Sequence, residues 1–391
     1  MAVTTVDVTA DRSFFGHPRG LSVLFFTEMW ERFSYYGMRA LLILFMTAPV
    51  SAGGLAFDTS VAGAVYGLYT SMVYMTSLPG GWIADRLIGQ RRAVLYGGIL
   101  ITCGHFSMAF PSLGTFYLGL VLIVFGTGLL KGNVSVIVGR LYGANDNRRD
   151  AGFSIFYMGI NLGAFIAPLI CGYLGQRVNW HMGFTAAGFG MAIGVVQYVL
   201  GAKHLGDAGL HPASGPVTER LRQQTRTWGA ATVALIVVIV GAIYYGLVPI
   251  SAKQVADAAG FVLLATAIAL FGWMFFAAQW TPTERRRLTA IFVLIVAATL
   301  FWSEFEQAGS TLNLFGDRAT RTSIFGWEFP SSYFQSLQPL FIITFAPIFA
   351  WTWLRLGRRE PSSPAKFAIG LLFVGAGFGL LVIASSLSTQ G

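Results

Sequence analysis

Eleven apolar stretches, each long enough to cross a bilayer as a helix, follow one another along these 391 residues. They run at about 21–48, 60–84, 93–110, 114–138, 152–174, 182–201, 228–249, 256–278, 288–312, 333–354 and 366–388. Hydrocarbon offers no partner to a backbone N–H or C=O, so each such segment must satisfy its own and is restricted to helix. With 55% hydrophobic and 11% charged residues, the composition excludes an ordinary soluble domain. The expected fold is an all-α polytopic membrane protein.

Charge supports the count of crossings. When the connections are assigned alternately to the two sides, 19 of the 26 basic residues fall on the side of the N-terminus and 4 on the other, leaving Arg32, Arg39 and Lys131 inside spans. One missed or invented helix would scramble this asymmetry, and the positive-inside rule then predicts a cytosolic N-terminus. The net charge of +9 therefore marks topology and argues against a nucleic-acid partner. Residues 1–20 contain Asp7 and Asp11 and no basic start followed by a cleavable apolar core, so no signal peptide is expected.

The pattern divides the chain into a six-helix bundle at 1–201, a polar cytosolic linker at 202–227, an inserted transmembrane hairpin at 228–280 and a partial bundle of three helices at 281–391. The hairpin spans lack charge and read as lipid-facing. Cys103 and Cys171 have no metal or redox spacing and read as packing residues, and His105 reads as structural.

The first span carries what the others lack. Glu28, Glu31, Arg32 and Arg39 lie inside it, and a charge at the centre of a membrane helix costs about 2.5–3.5 kcal/mol on insertion scales. At about 100° per residue, Glu28, Arg32, Tyr35 and Arg39 share a stripe, with Glu31 about 60° to one side. A structural lock needs one ion pair; four charges in one helix point to a polar pathway. On the ninth span, Trp302, Glu306 and Asn313 share a stripe, with offsets of about 40° and 20°, whereas Glu304 falls about 160° from Glu306.

Four blocks carry a resemblance. Gly80-Gly81-Trp82-Ile83-Ala84-Asp85-Arg86-Leu87-Ile88-Gly89-Gln90-Arg91-Arg92 resembles the loop signature of the major facilitator superfamily. Glu28-Met29-Trp30-Glu31-Arg32-Phe33-Ser34-Tyr35-Tyr36-Gly37-Met38-Arg39, residues 126–135 (GTGLLKGNVS) and residues 153–168 (FSIFYMGINLGAFIAP) resemble the proton-dependent oligopeptide transporter (POT/PTR) family, bacterial type. That resemblance implies two pseudo-symmetric bundles plus the hairpin, and proton-coupled symport of di- and tripeptides by alternating access. The family fold has twelve core helices and the inserted pair, so three C-terminal helices are expected to be absent from this sequence.

The resemblance also implies roles. Glu28, Glu31, Arg32 and Lys131 match the proton-coupling set, with Lys131 the partner of the glutamate motif. Arg39, Tyr35, Tyr36, Tyr69, Lys131, Asn161, Trp302, Glu306 and Gln338 match substrate-binding positions. Arg39 with Glu306, and Asp85 with Arg86, are the expected gates, on the outer and cytosolic sides respectively. Departures are Gln338 where relatives often have Asn, Gly132 where Pro is usual after the lysine, and Gly67 near the position of the animal relatives' histidine.

The physics supports these expectations, since a peptide carboxylate entering the membrane needs a cation to offset its desolvation. Competing readings are a carrier of nitrate or another anion, and a non-transporting receptor or scaffold. An enzyme is not expected: no HExxH pair, catalytic Ser/His arrangement or nucleotide loop occurs. The expected partners are peptides and the lipid of the inner membrane, with the proton as coupling ion, no other cofactor, no metal, and a monomeric state.

Overall fold

The computed structural model describes residues 11–143, 145–215, 251–277 and 279–388, with scattered positions between 218 and 238. The predicted span at 228–249 lies almost wholly outside the described residues. The helices are α1 (Arg19–Thr47), α2 (Thr59–Met75), α3 (Ser77–Ile83), α4 (Gln90–Ser107), α5 (Leu113–Arg140), α6 (Arg149–Tyr173) and α7 (Trp180–Gly201). After the linker come α8 (Ala252–Phe276), α9 (Pro282–Phe305), α10 (Thr311–Arg318), α11 (Leu337–Leu356) and α12 (Ser363–Ser388). A two-residue antiparallel pair, β1 (Ser323–Ile324) and β2 (Trp327–Glu328), interrupts the helical pattern in the connection before α11.

Among the described residues, seven helical segments are long and apolar enough to cross a membrane by length and composition. The first predicted span is one helix of 29 residues, α1. The second, at 60–84, is divided into α2 and α3 at Thr76, whose hydroxyl bonds the carbonyls of Met72 and, across to α5, Val124. That hydroxyl–carbonyl contact offers a backbone-competing bond at the break.

Glycines set how closely the first seven helices pack. A Cβ on Gly80 would stand 2.1 Å from the Gly128 carbonyl oxygen, and Gly97 and Gly126 face each other so closely that a Cβ on either would meet the other's carbonyl at 2.5 or 2.7 Å. These contacts fix α3 and α4 against α5 through backbone approach, the small-residue mode of membrane packing. Gly163 does the same for α6 on α1, where a Cβ would come within 2.2 Å of the Met29 oxygen.

Two buried apolar clusters result. One gathers Leu21, Leu24, Leu130, Val134, Ile137 and Leu141 towards the side where the chain starts, here the near side. The other gathers Met38, Leu41, Phe45, Phe116 and Phe184 towards the far side. On α1 the charged residues Glu28, Glu31 and Arg32 occupy the level between the two clusters, and all three are buried.

The second half is built differently. α8 packs along α2, and its exposed start is closed by a capping box of Ser251 and Gln254. α9 starts on the same device, Thr281 with Glu284. α9 contacts α12, α11 contacts α6, and large apolar side chains of α8, α9, α11 and α12 remain exposed.

Candidate functional site

α1 supplies the ionic wall of the site. Arg32 Nε lies 3.0 Å from Glu28 Oε1 and is also paired with Glu31. Two carboxylates thus share one guanidinium, and Glu28 Oε2 and Glu31 Oε1 are buried without a hydrogen-bond partner among the described residues. One helix turn on, the Arg32 guanidinium lies 5.4 Å from the Tyr35 ring centre.

A cavity of about 690 Å³ opens beside this wall, within the usual size of a small-molecule site. From α1 it is lined by Glu28, Arg32, Tyr36 and Arg39. Lys131 enters from α5 and Asn161 from α6, while Trp302 and Gln338 close it from the second half. The structure therefore brings eight of the sequence-predicted residues to one chamber. Tyr36, not Tyr35, completes the lining stripe of α1: Tyr35 and Tyr69 are buried, their hydroxyls have no partner among the described residues, and neither lines the cavity. Glu31 is likewise fully buried behind Arg32.

Lys131 does not ion-pair with Glu28 or Glu31 among the described residues. Its ammonium sits 4.0 Å from the centre of the Tyr74 ring, where the negative face of the aromatic ring replaces a carboxylate as the partner. Tyr74 also bridges onward, its hydroxyl lying 3.4 Å from Glu306 Oε1. Sequence reading passed over Tyr74, Tyr157, Phe334 and Gln335, all of which line the chamber. None carries a charge, and only the packing of α2, α6 and the turn before α11 brings them to it.

At the far end of the chamber the two halves are tied. Arg39 Nη2 lies 3.0 Å from Glu306 Oε2, and Arg39 Nε donates to the Tyr66 hydroxyl at 2.7 Å. The continuous-helix stripe expected for Trp302, Glu306 and Asn313 does not hold, because α9 ends at Phe305 and Ser310 takes φ −125°, ψ −95°. The break has a cause: Gly309 lies so close to Arg39 and Tyr66 that a Cβ there would meet the Tyr66 oxygen at 2.0 Å and Arg39 Nε at 2.5 Å. Asn313 still reaches the first half, donating to the Ala40 carbonyl at 2.9 Å. Glu304 is half-buried and lines no part of the chamber.

Further links accumulate beyond this level. Gln176 donates to Ser331 Oγ at 2.8 Å and accepts from the Ser332 amide at 3.0 Å, and Ser336 Oγ donates to the Phe165 carbonyl at 2.8 Å. Among the described residues of α1–α7, none joins the near-side ends of α9 or α11 by a hydrogen bond or ion pair. The chamber is shut on the far side.

The near-side loop signature has a different task from the one its charges suggested. The Asp85 carboxylate accepts from Gln90 Nε2 and its carbonyl accepts from Ser214, while Arg86 is exposed without an ion pair among the described residues. Arg91 does the tying, donating to the carbonyls of Gly206 at 2.7 Å and Ala202 at 2.6 Å. These bonds fasten the segment after α7 to α4, within the first half.

An ionic chamber inside a helical membrane protein, sealed between two halves on the far side, defines the class: a polytopic carrier of the major facilitator type. The chain belongs to the POT family, whose model matches residues 91–390. It is 43% identical over 392 residues to the peptide transporter YePEPT of Yersinia enterocolitica subsp. palearctica serotype O:3 (strain YE-P4), covering 98% of this chain and 76% of that one. It is 39% identical over 388 residues to a di-/tripeptide transporter of Lactococcus lactis subsp. cremoris, covering 97% of this chain and 78% of the relative. A crystal structure of a peptide transporter POT in complex with sulfate superposes with a TM-score of 0.88 at 44% identity, covering 98% of this chain and 78% of that one.

Proposed function

We propose that this protein is a proton-coupled symporter of di- and tripeptides, working by alternating access as a single copy in the cytoplasmic membrane with its N-terminus in the cytosol. The observation that carries the reading is the chamber wall itself: Glu28, Arg32, Arg39 and Lys131 line one cavity that the Arg39–Glu306 pair closes on one side. Lys131 is the cation available to a peptide carboxylate in this state, because Arg32 is held by two glutamates and Arg39 by Glu306; Arg39 becomes a second when its pair with Glu306 opens. The amide oxygens of Asn161 and Gln338, which line the same chamber, are the acceptors for the peptide's amino end, whereas Glu306, expected there, lies outside the lining with its carboxylate on Arg39 and Tyr74.

Coupling follows from the shared guanidinium. Two ionised carboxylates around Arg32 leave one negative charge unmatched in a buried site, and a proton taken up by either removes it. Lys131, resting on the Tyr74 ring rather than in an ion pair, is free to exchange between that ring, a ligand carboxylate and the glutamates. A proton that changes which partner Lys131 prefers shifts the balance between the two conformations. The proton is the only coupling agent in this scheme; no metal or organic cofactor and no catalytic step are assigned.

The test is uptake of dialanine into liposomes under an inward proton gradient. The gradient should accelerate uptake by the wild type, and Glu31→Gln and Lys131→Ala should abolish that acceleration. Uptake indifferent to pH and to both substitutions rejects proton coupling, and absence of competition by di- and tripeptides rejects the substrate class.

A further inference from the structure

A second cavity, of about 740 Å³, lies between α6 and α11 and shares Tyr157, Ile160, Asn161 and Ile342 with the central chamber. Away from those shared residues its walls are mostly apolar, with Phe153 and Ile155 of α6 facing Ile343, Ala346, Pro347 and Ala350 of α11, and Ser135 of α5 and Ser154 of α6 as the polar exceptions. It is a groove between the two halves of the molecule, in the half of the membrane nearer the chain's start. Among the described residues the bonds between the halves lie on the opposite side.

We propose that this groove holds an acyl chain of an anionic phospholipid from the near-side leaflet. Length is the first argument. The lining runs from residue 153 to 161 on α6 and from 342 to 350 on α11, about 12 Å of each helix at 1.5 Å per residue, comparable to one leaflet of a hydrocarbon core about 30 Å thick. Charge is the second. Arg149, one turn before the groove residue Phe153, lies over that ring at 6.0 Å, and Arg355, at the near-side end of α11 beyond the groove residue Ala350, lies over the Trp351 ring at 5.0 Å, so each of the two helices that form the groove carries a cation at its near-side end. A phosphate held at that level would let its acyl chain follow the groove inward. The bound chain props α6 and α11 apart, and it must leave when the near side closes.

Native mass spectrometry of the detergent-purified protein with added palmitoyl-oleoyl phosphatidylglycerol or phosphatidylcholine tests this. One phosphatidylglycerol should survive activation on the wild type and phosphatidylcholine should not. The Arg149→Gln/Arg355→Gln protein should lose that preference by about ten-fold or more, the combined effect of two basic residues at an anionic headgroup. Ala346→Trp should retain no lipid while unfolding at the wild-type temperature; Ala350→Phe serves the same purpose if Ala346→Trp does not fold. Equal retention of both lipids by the wild type, or undiminished phosphatidylglycerol on a folded groove-filling variant, overturns the proposal. So does an unchanged lipid count with a raised KM confined to dipeptides bearing bulky apolar side chains, which makes the groove an annex for ligand.

Discussion

Arg39 of α1 and Glu306 at the end of α9 form a 3.0 Å ion pair between the two halves of the molecule, and Arg39 is held at the same time by the Tyr66 hydroxyl at 2.7 Å. Arg39 is almost wholly buried and Glu306 largely so, at 3% and 23% side-chain exposure. Removing one partner strands the other, at a cost of about 3–5 kcal/mol for a buried pair. Arg39→Glu and Glu306→Arg should each reduce dialanine uptake to below about one per cent, on the order of that energy, and the double reversal should restore a measurable fraction. Uptake by the double variant no better than by either single one removes the pair from the gate.

Gly309 tests the same gate through sterics. An alanine Cβ would press on the Tyr66 oxygen and Arg39 Nε, at 2.0 and 2.5 Å. Overpacking of this kind costs about 1–3 kcal/mol, borne here by the far-side seal. Gly309→Ala should therefore raise the labelling rate of a far-side cysteine, while Gly132→Ala, whose Cβ meets nothing within 4 Å, should leave it unchanged. Equal rates for the two variants count against the seal.

Tyr74 separates ring from hydroxyl. Its ring carries Lys131 at 4.0 Å and its hydroxyl lies 3.4 Å from Glu306. A desolvated cation–π contact is worth up to about 2 kcal/mol, so Tyr74→Leu should raise the KM for dialanine roughly ten-fold. Tyr74→Phe keeps the ring and should stay within about three-fold of wild type. A Tyr74→Phe defect as large as that of Tyr74→Leu would show that the hydroxyl, not the ring, is what matters.

How much of this site the sequence revealed depended on charge. Glu28, Arg32 and Arg39 were legible because ionised residues inside an apolar span must face something polar, and helical periodicity placed them on one stripe. The same periodicity puts Tyr35 on that stripe, and the structure lines the chamber with Tyr36 instead: the two are adjacent, and which ring faces the chamber is decided by α2 and α6. Asn313 was assigned to the right wall by extending α9 as a continuous helix, although the helix breaks at 306–310. The signal for the break was Gly309, whose meaning appears only when Arg39 and Tyr66 are seen against it. The state of the chamber, closed on the far side, was not legible at all, since it rests on bonds such as Gln176 to Ser331 between segments distant in sequence.

The N-terminal segment carries a pH-dependent contact. His17 Nδ1 lies 2.9 Å from the Tyr142 hydroxyl, and burial, with Arg148 nearby, holds its pKa below the ordinary 6.5. The undocked segment then binds a proton more readily than the docked one. The contribution is fully present above the ordinary value and is lost as pH falls through the lower docked value. Hydrogen exchange of the Phe14 and His17 amides, corrected for intrinsic rate, should be faster at about pH 5 than at about pH 7.5, and His17→Gln should remove the difference. The same pH response in His17→Gln would assign it to another group.

Alternating access requires the far-side links to break in every cycle, and this is tested most directly by tying them. In a Cys103→Ser background, which removes the exposed native thiol, Gln176→Cys and Ser331→Cys can be joined by a short reducible cross-linker and dialanine uptake measured before and after reduction. The account predicts that cross-linking lowers uptake below about a tenth and that reduction restores it, the two halves being bistable rather than continuously deformable. Uptake by the cross-linked protein at the uncross-linked rate would contradict it.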